Sequence, residues 1–198
     1  MSEGTLRFPM YLRLAGHEVS LRYMRPSDRL RIHAFAKVLP GDDLLFLRRD
    51  ITEERQLDEW LRDVADGLAT TLLAEISGQL VGYGALQRST LRWTDHVADM
   101  RLMVAPAWRG IGIGGLLARE VFRIAVSEGL LKVVGQLAAE QTSAIATMES
   151  LGFRPEAILR GHVRDRAGNP HDLLLFSRDM RHYAEQQHLM GMAEVLGS

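Results

Sequence analysis

Near the middle of the chain an alternating apolar and polar run stops at Pro106, and an amphipathic helical pattern starts at Gly112. Between them stands Val104-Ala105-Pro106-Ala107-Trp108-Arg109-Gly110-Ile111-Gly112-Ile113-Gly114. This segment constrains the fold most tightly, because it demands a strand, a glycine-rich bend and a helix in immediate succession. Glycines at 110, 112 and 114, followed by Gly115, keep side chains off the bend, so backbone N–H groups can approach a ligand. The first amides of the following helix have no partner within it and lie at the positive end of its dipole, which favours an anion. Arg109 adds a guanidinium whose planar fork suits phosphate oxygens, and a pyrophosphate fits that geometry. A tight strand-to-helix bend that binds nothing is the plain alternative. A dinucleotide fold also uses spaced glycines, but the GxGxG spacing, the mid-chain position and the preceding Arg fit it poorly. The chain carries no GxxxxGK[ST] element.

The remaining elements can be read outward from this bend. Val19 to Arg25 alternates like a strand, while residues 1–18 show no clear pattern. Pro26-Ser27-Asp28 offers a helix start, with Ser27 as N-cap of a helix running to about Val38. After the turn-like Pro40-Gly41-Asp42, a second helix is expected from Thr52, with Glu53 and Glu54 at its positive end, to about Gly67. Thr70 to Ile76 and Leu80 to Leu86 flank Ser77-Gly78 as a hairpin, and a third strand runs from His96 to Val104. Beyond the bend, Ile113, Leu117, Val121 and Ile124 share one helical face, and Gly129 ends that helix. Leu131 to Leu137 reads as a buried strand, and residues 142–151 as a helix closed by Gly152. Strands at about 156–163 and 171–177 bracket the turn-rich Asp165 to Pro170. This alternation implies an α/β fold with a sheet of mixed direction.

A chain of 198 residues, 46% of them hydrophobic, fills one core, so residues 1–180 are read as a single domain with a tail over 181–198. In the tail Tyr183, Met190, Ala193 and Leu196 have imperfect helical spacing; a docked helix, a homodimer contact and a frayed end all fit. The formal net charge of −1 gives no electrostatic reason to expect nucleic acid or an anionic membrane as partner. No run is apolar and long enough for a membrane helix or a signal peptide, so a cytoplasmic protein is expected. The absence of cysteine excludes disulfides and a cysteine-borne acyl intermediate. Seven histidines are scattered without the paired spacing of a zinc site, and no metal is expected.

Residues 98–114, ADMRLMVAPAWRGIGIG, resemble the signature of the GNAT superfamily of N-acetyltransferases, V-x-P-x-x-[RQ]-G-x-[GA]-[GA] and its variants. ESLGFRP at 149–155 is similar to the family's segment after the last helix, and the order of elements from 19 to 177 is similar to its fold. The resemblance implies a mixed, splayed central sheet with helices on both faces. It implies acetyl-CoA or another acyl-CoA as co-substrate, its diphosphate held by Arg109, Gly110, Ile111, Gly112, Ile113, Gly114 and Gly115. The backbone of Leu102, Met103 and Val104 would hold the pantetheine arm. The segments RYMRPSDRLRIHAFAKVLPGDDLLFLRR and AEISGQLVGYGAL are further similar to bacterial protein-lysine acetyltransferases of the Pat type. The implied partner is an amine acceptor, a protein lysine or a small molecule.

An ammonium must lose a proton before it attacks a thioester, so a carboxylate or water chain beside it would serve as base. Asp99, on the strand leading to the bend, stands where many relatives carry Glu; pairing with Arg101 or another cation is its bland reading. Glu140, at the end of the next strand, is the second candidate, although a Glu just before a helix is also explained by the helix dipole. Where many relatives have a Tyr that protonates the leaving sulfur, this chain has Met148, which cannot donate a proton. A catalytically silent acyl-CoA-binding module is therefore the competing reading. Acceptor specificity is expected from residues 39–56 and the turn 165–170.

Overall fold

The computed structural model describes residues 7–45, 49–165 and 167–186. In chain order the elements are β1 (Met10–Leu14), β2 (His17–Tyr23), α1 (Arg29–Ala36), α2 (Gly41–Leu45), α3 (Glu54–Ala65), β3 (Ala69–Ile76) and β4 (Gln79–Arg88). Then follow β5 (Val97–Val104), α4 (Ile113–Ser127), β6 (Lys132–Ala138), α5 (Thr142–Ser150), β7 (Arg154–Arg164) and β8 (Pro170–Asp179). Residues 180–186 are helical, and the rest of the expected tail, 187–198, lies outside the described residues.

All eight strands join one sheet in the order β1-β2-β3-β4-β5-β6-β8-β7. Only the β5–β6 pair is parallel, as the intervening α4 requires; the other neighbours are antiparallel. The sheet is thus mixed, and helices cover both faces. Leu116, Leu117, Val121 and Ile124 of α4 and Met148 of α5 fill one core with Ala98 and Met100 of β5. Ile32 and Phe35 of α1, with Leu57 and Trp60 of α3, fill the other with Leu73 of β3 and Tyr83 of β4. Each fully buried aliphatic such as Leu117 contributes roughly 1.5–3 kcal/mol to this packing.

Several boundaries differ from the sequence reading. The unassigned start contains β1, joined to β2 by a two-residue turn with Ala15 at φ +48° and Gly16 at φ +84°. Ser27 is not an N-cap: Pro26–Asp28 forms a single 3-10 turn, and it is the Asp28 carboxylate that accepts the Arg25 N–H at 2.8 Å. The helix expected from Thr52 starts at Glu54, because Asp50 Oδ1 draws the Thr52 N–H into a local turn. Pro40-Gly41-Asp42, read as a turn, instead leads into α2. The hairpin at Ser77-Gly78 and the helix ends at Gly129 and Gly152 stand where the sequence put them.

Candidate active site

The bend after β5 begins with a 3-10 turn over Pro106–Trp108, which spends the Trp108 N–H on Ala105 O and the Arg109 N–H on Pro106 O. The chain then turns through Gly112 at φ +97°, a left-handed conformation that L side chains avoid, and enters α4. The Leu116 N–H closes the first helical hydrogen bond on Gly112 O at 3.0 Å. Among the described residues, no protein acceptor meets the backbone N–H of Gly110, Ile111, Gly112, Ile113, Gly114 or Gly115. Six donors therefore stand open around the positive end of a fifteen-residue helix. Ile111 and Ile113 turn their side chains to the core and offer only backbone, and Leu14 of β1 packs behind Gly112.

This bend closes one end of a cleft of about 560 Å³ created by the sheet itself. Strands β5 and β6 pair only from Val97↔Lys132 to Asp99↔Val134, and beyond that point they separate. Leu131 and Lys132 N–H bond His96 O, while Ala105 N–H bonds Val81 O on β4. By strand alternation the peptide groups of Met100, Leu102 and Val104 are then directed into the gap, and those of Met103 toward β4. Met100 O accepts from Arg101 and Val104 O from Arg109 Nε, at 3.3 and 3.0 Å, which leaves the peptide of Leu102 facing the cleft between them.

The opposite wall comes from β6 and α5. Gly135, Gln136 and Leu137 of β6 line it together with Gln141, Ser143, Thr147 and Met148. Gln141 Oε1 accepts the Ala138 N–H at 2.9 Å and so fixes the turn between these elements. Arg109 lies at the cleft, but its guanidinium is engaged: Nε on Val104 O and Nη2 in an ion pair with Asp43 of α2. The sequence could show neither partner.

Asp99 is the last β5 residue still paired with β6, so it sits at the point where the strands part. It faces the α1–α3 side, where it lines a chamber of about 50 Å³ with Arg49, Ile51, Trp60, Tyr83, Gln87 and Arg101. Arg101 also lines the larger cleft, so the two spaces share a wall. Gln136 Nε2 donates to Asp99 Oδ1 at 3.4 Å, a long hydrogen bond across the gap. The chamber is mostly apolar: Trp60 and Tyr83 rings lie 5.0 Å apart, and burial pushes the Tyr83 phenol up to about 12. Arg49 is held by Asp63, which also accepts from Gln87.

Glu140 stands elsewhere. Its carboxylate accepts from, or pairs with, His171 Nδ1 at 2.8 Å, and it does not line the cleft. His171 Nε2 lies 3.3 Å from Asp165, so this histidine ties the β6–α5 turn to the β7–β8 turn. These bonds hold Glu140 below the usual carboxylate range and raise His171. His96 contributes its backbone carbonyl to the start of β6, and its ring is exposed beside Asp95. Trp108 lines the cleft and meets His17 edge-on at 5.2 Å. Among the described residues no group of three or more His, Cys, Asp or Glu is placed to hold a metal, and no helix is long and apolar enough to cross a membrane.

Arg49, Ile51, Trp60, Tyr83 and Gln87 were not singled out by the sequence, although Arg49 and Ile51 fall in the stretch expected to shape specificity. They meet only through the register of β4 on β5 and the docking of α3.

The acetyltransferase (GNAT) family model matches residues 39–153. No curated protein matches the chain by sequence. Solved structures share the fold. A ribosomal-protein-alanine N-acetyltransferase of Brucella melitensis is 22% identical with a TM-score of 0.71, over 80% of this chain and 98% of its own. A GNAT-family acetyltransferase of Streptococcus pneumoniae is 20% identical with a TM-score of 0.70, over 81% and 99%. A spermidine N-acetyltransferase of Vibrio cholerae, in complex with CoA and spermine, is 18% identical with a TM-score of 0.69, over 84% and 98%.

Proposed function

Because the chain belongs to the acetyltransferase (GNAT) family, whose model spans residues 39–153, we propose that it transfers an acyl group, acetyl foremost, from acyl-CoA directly to a primary amine. The acceptor is a protein lysine or a small-molecule amine. The observation that carries this reading is the set of backbone donors from Gly110 to Gly115 left without protein acceptors at the end of an elongated cleft. Such donors are satisfied by a multiply charged anion, and the coenzyme's diphosphate supplies one.

Each part of the site then has a task. The amides and the α4 dipole hold the diphosphate, with Arg109 beside them. The peptide of Leu102 pairs with the amides of the pantetheine arm in the place that β6 leaves open. That arm brings the thioester toward the parting of β5 and β6, where Asp99 takes a proton from the acceptor ammonium, directly or through one water. The amine lone pair attacks the thioester carbon, the C–S bond breaks as the adduct collapses, the thiolate leaves, and the second proton of the acylated nitrogen passes to water to give the neutral amide. Met148 cannot donate a proton, so water protonates the thiolate, whose low basicity makes this sufficient. Glu140 has no part in this scheme, since its carboxylate serves His171. The acceptor enters through the chamber of Trp60, Tyr83 and Arg49. Residues 1–180 act in it as one domain.

Release of free thiol from acetyl-CoA, measured against a panel of amines and lysine peptides, tests the reading. Amine-dependent release is expected. Coenzyme binding with no amine raising thiol release above background would leave a silent binding module instead.

A further inference from the structure

The guanidinium that borders the diphosphate site is already neutralised. Arg109 is fixed at Nε by Val104 O, and its Nη2 is paired with the Asp43 carboxylate. Asp43 itself lines the cleft, together with Gly110, Gly112 and Gly114. A carboxylate in that position sits next to the incoming diphosphate, and like charges at contact distance repel. We propose that Asp43 is an internal competitor, a carboxylate that occupies Arg109 in place of the diphosphate and must be displaced before the coenzyme is fully seated. This rests on the coenzyme reading above.

The element carrying Asp43 is suited to being displaced. Helix α2 spans five residues, Gly41–Leu45, too few to be stable alone, so tertiary contacts must hold it. Two such contacts are the burial of Leu44 and the Arg109 ion pair. The pair is partly exposed, with the Asp43 side chain at 26% and that of Arg109 at 45%, so water can receive the carboxylate when it leaves.

Calorimetry with coenzyme A on the full chain, the Asp43→Asn and Asp43→Ala variants, and pantetheine as a ligand lacking the diphosphate, tests this. Both variants should bind coenzyme A about threefold tighter or better, the scale of one exposed ion pair, with pantetheine binding unchanged. Hydrogen exchange on the unmodified protein should show coenzyme A slowing exchange at 110–116 and speeding it at 41–45. Unchanged or weaker coenzyme A binding in both variants, or protection of 41–45, overturns the proposal while leaving the coenzyme site standing. No binding of coenzyme A by the unmodified chain removes the site and this inference together.

Discussion

The terminal methyl of Met148 fills the space that a side chain at residue 135 would need: an ideal Cβ on Gly135 would lie 2.1 Å from Met148 Cε. A glycine in the middle of β6 thus admits the methionine of α5, and the pair forms part of the cleft wall. The clashing atom is the free end of a flexible side chain that borders the cleft, so it can give way in that direction.

Gly135→Ala should therefore push the Met148 methyl toward the cleft and destabilise the fold by about 1 kcal/mol, the low end for overpacking. Adding Met148→Ala should recover part of that loss, because the two side chains no longer compete. Urea unfolding of the two single variants and the double variant measures the coupling; strictly additive losses would show that the contact does not govern the packing.

Asp99→Asn should lower kcat about a hundredfold or more while leaving the affinity for acetyl-CoA unchanged, since the carboxylate faces the Trp60–Tyr83 chamber on the α1–α3 side and away from the glycine-rich bend. Glu140→Gln should leave kcat close to that of the unmodified enzyme. A fall in kcat for Glu140→Gln with none for Asp99→Asn would exchange the two roles.

The tether at His171 gives a pH dependence of defined sign. Hydrogen bonding to Glu140 and then Asp165 raises His171 above its ordinary value of 6.5. The stabilisation is complete below the unfolded value and is lost as pH rises through the raised folded value. The carboxylates act in the opposite sense: Asp165, held down to about 2 chiefly by Asn169, contributes above its unfolded pKa and fails only as pH falls toward the folded one. His171→Ala should thus lower Tm at mildly acid pH, and the gap to the unmodified protein should narrow as pH rises through the raised folded value of His171. A gap that stays constant or widens with pH would exclude the tether.

Asp28 should be among the most sensitive charged positions away from the cleft. It is 3% exposed, accepts two hydrogen bonds from Arg22 at 2.7 and 2.6 Å, and a third from the Arg25 N–H. Burial opposes its ionisation, but the bonds from Arg22 and Arg25 prevail and its pKa is lowered. Asp28→Ala should cost about 3 kcal/mol, the low end for a broken buried pair, because Glu75 still holds Arg22 at 2.6 Å. The Asp28 contribution should also fade as pH falls through its folded pKa. A loss under about 0.5 kcal/mol in denaturant unfolding, the scale of an exposed pair, would contradict this.

The glycine-rich bend was legible because its geometry is local: Pro106 and the glycines from 110 to 115 specify strand end, turn and helix start within a dozen residues. The face of α4 was legible for the same reason, since a period of 3.6 needs no partner to be seen. Strand β1 was hidden because its turn places Ala15, not Asn or Gly, at the first positive φ. The partners of Arg109 and Asp99 were hidden for a different reason. Asp43 lies 66 residues before Arg109 and Gln136 lies 37 after Asp99, and only the assembled sheet brings each pair together.

The account depends above all on the open amides of the bend. Amide shifts in a nitrogen–proton NMR spectrum, followed as coenzyme A is added, observe those groups one by one. Saturable shifts concentrated at Gly110, Gly112, Gly114 and Gly115, and absent with pantetheine, are the expected result. Unmoved amides in this stretch at saturating coenzyme A, or shifts confined to another face of the sheet, would contradict it.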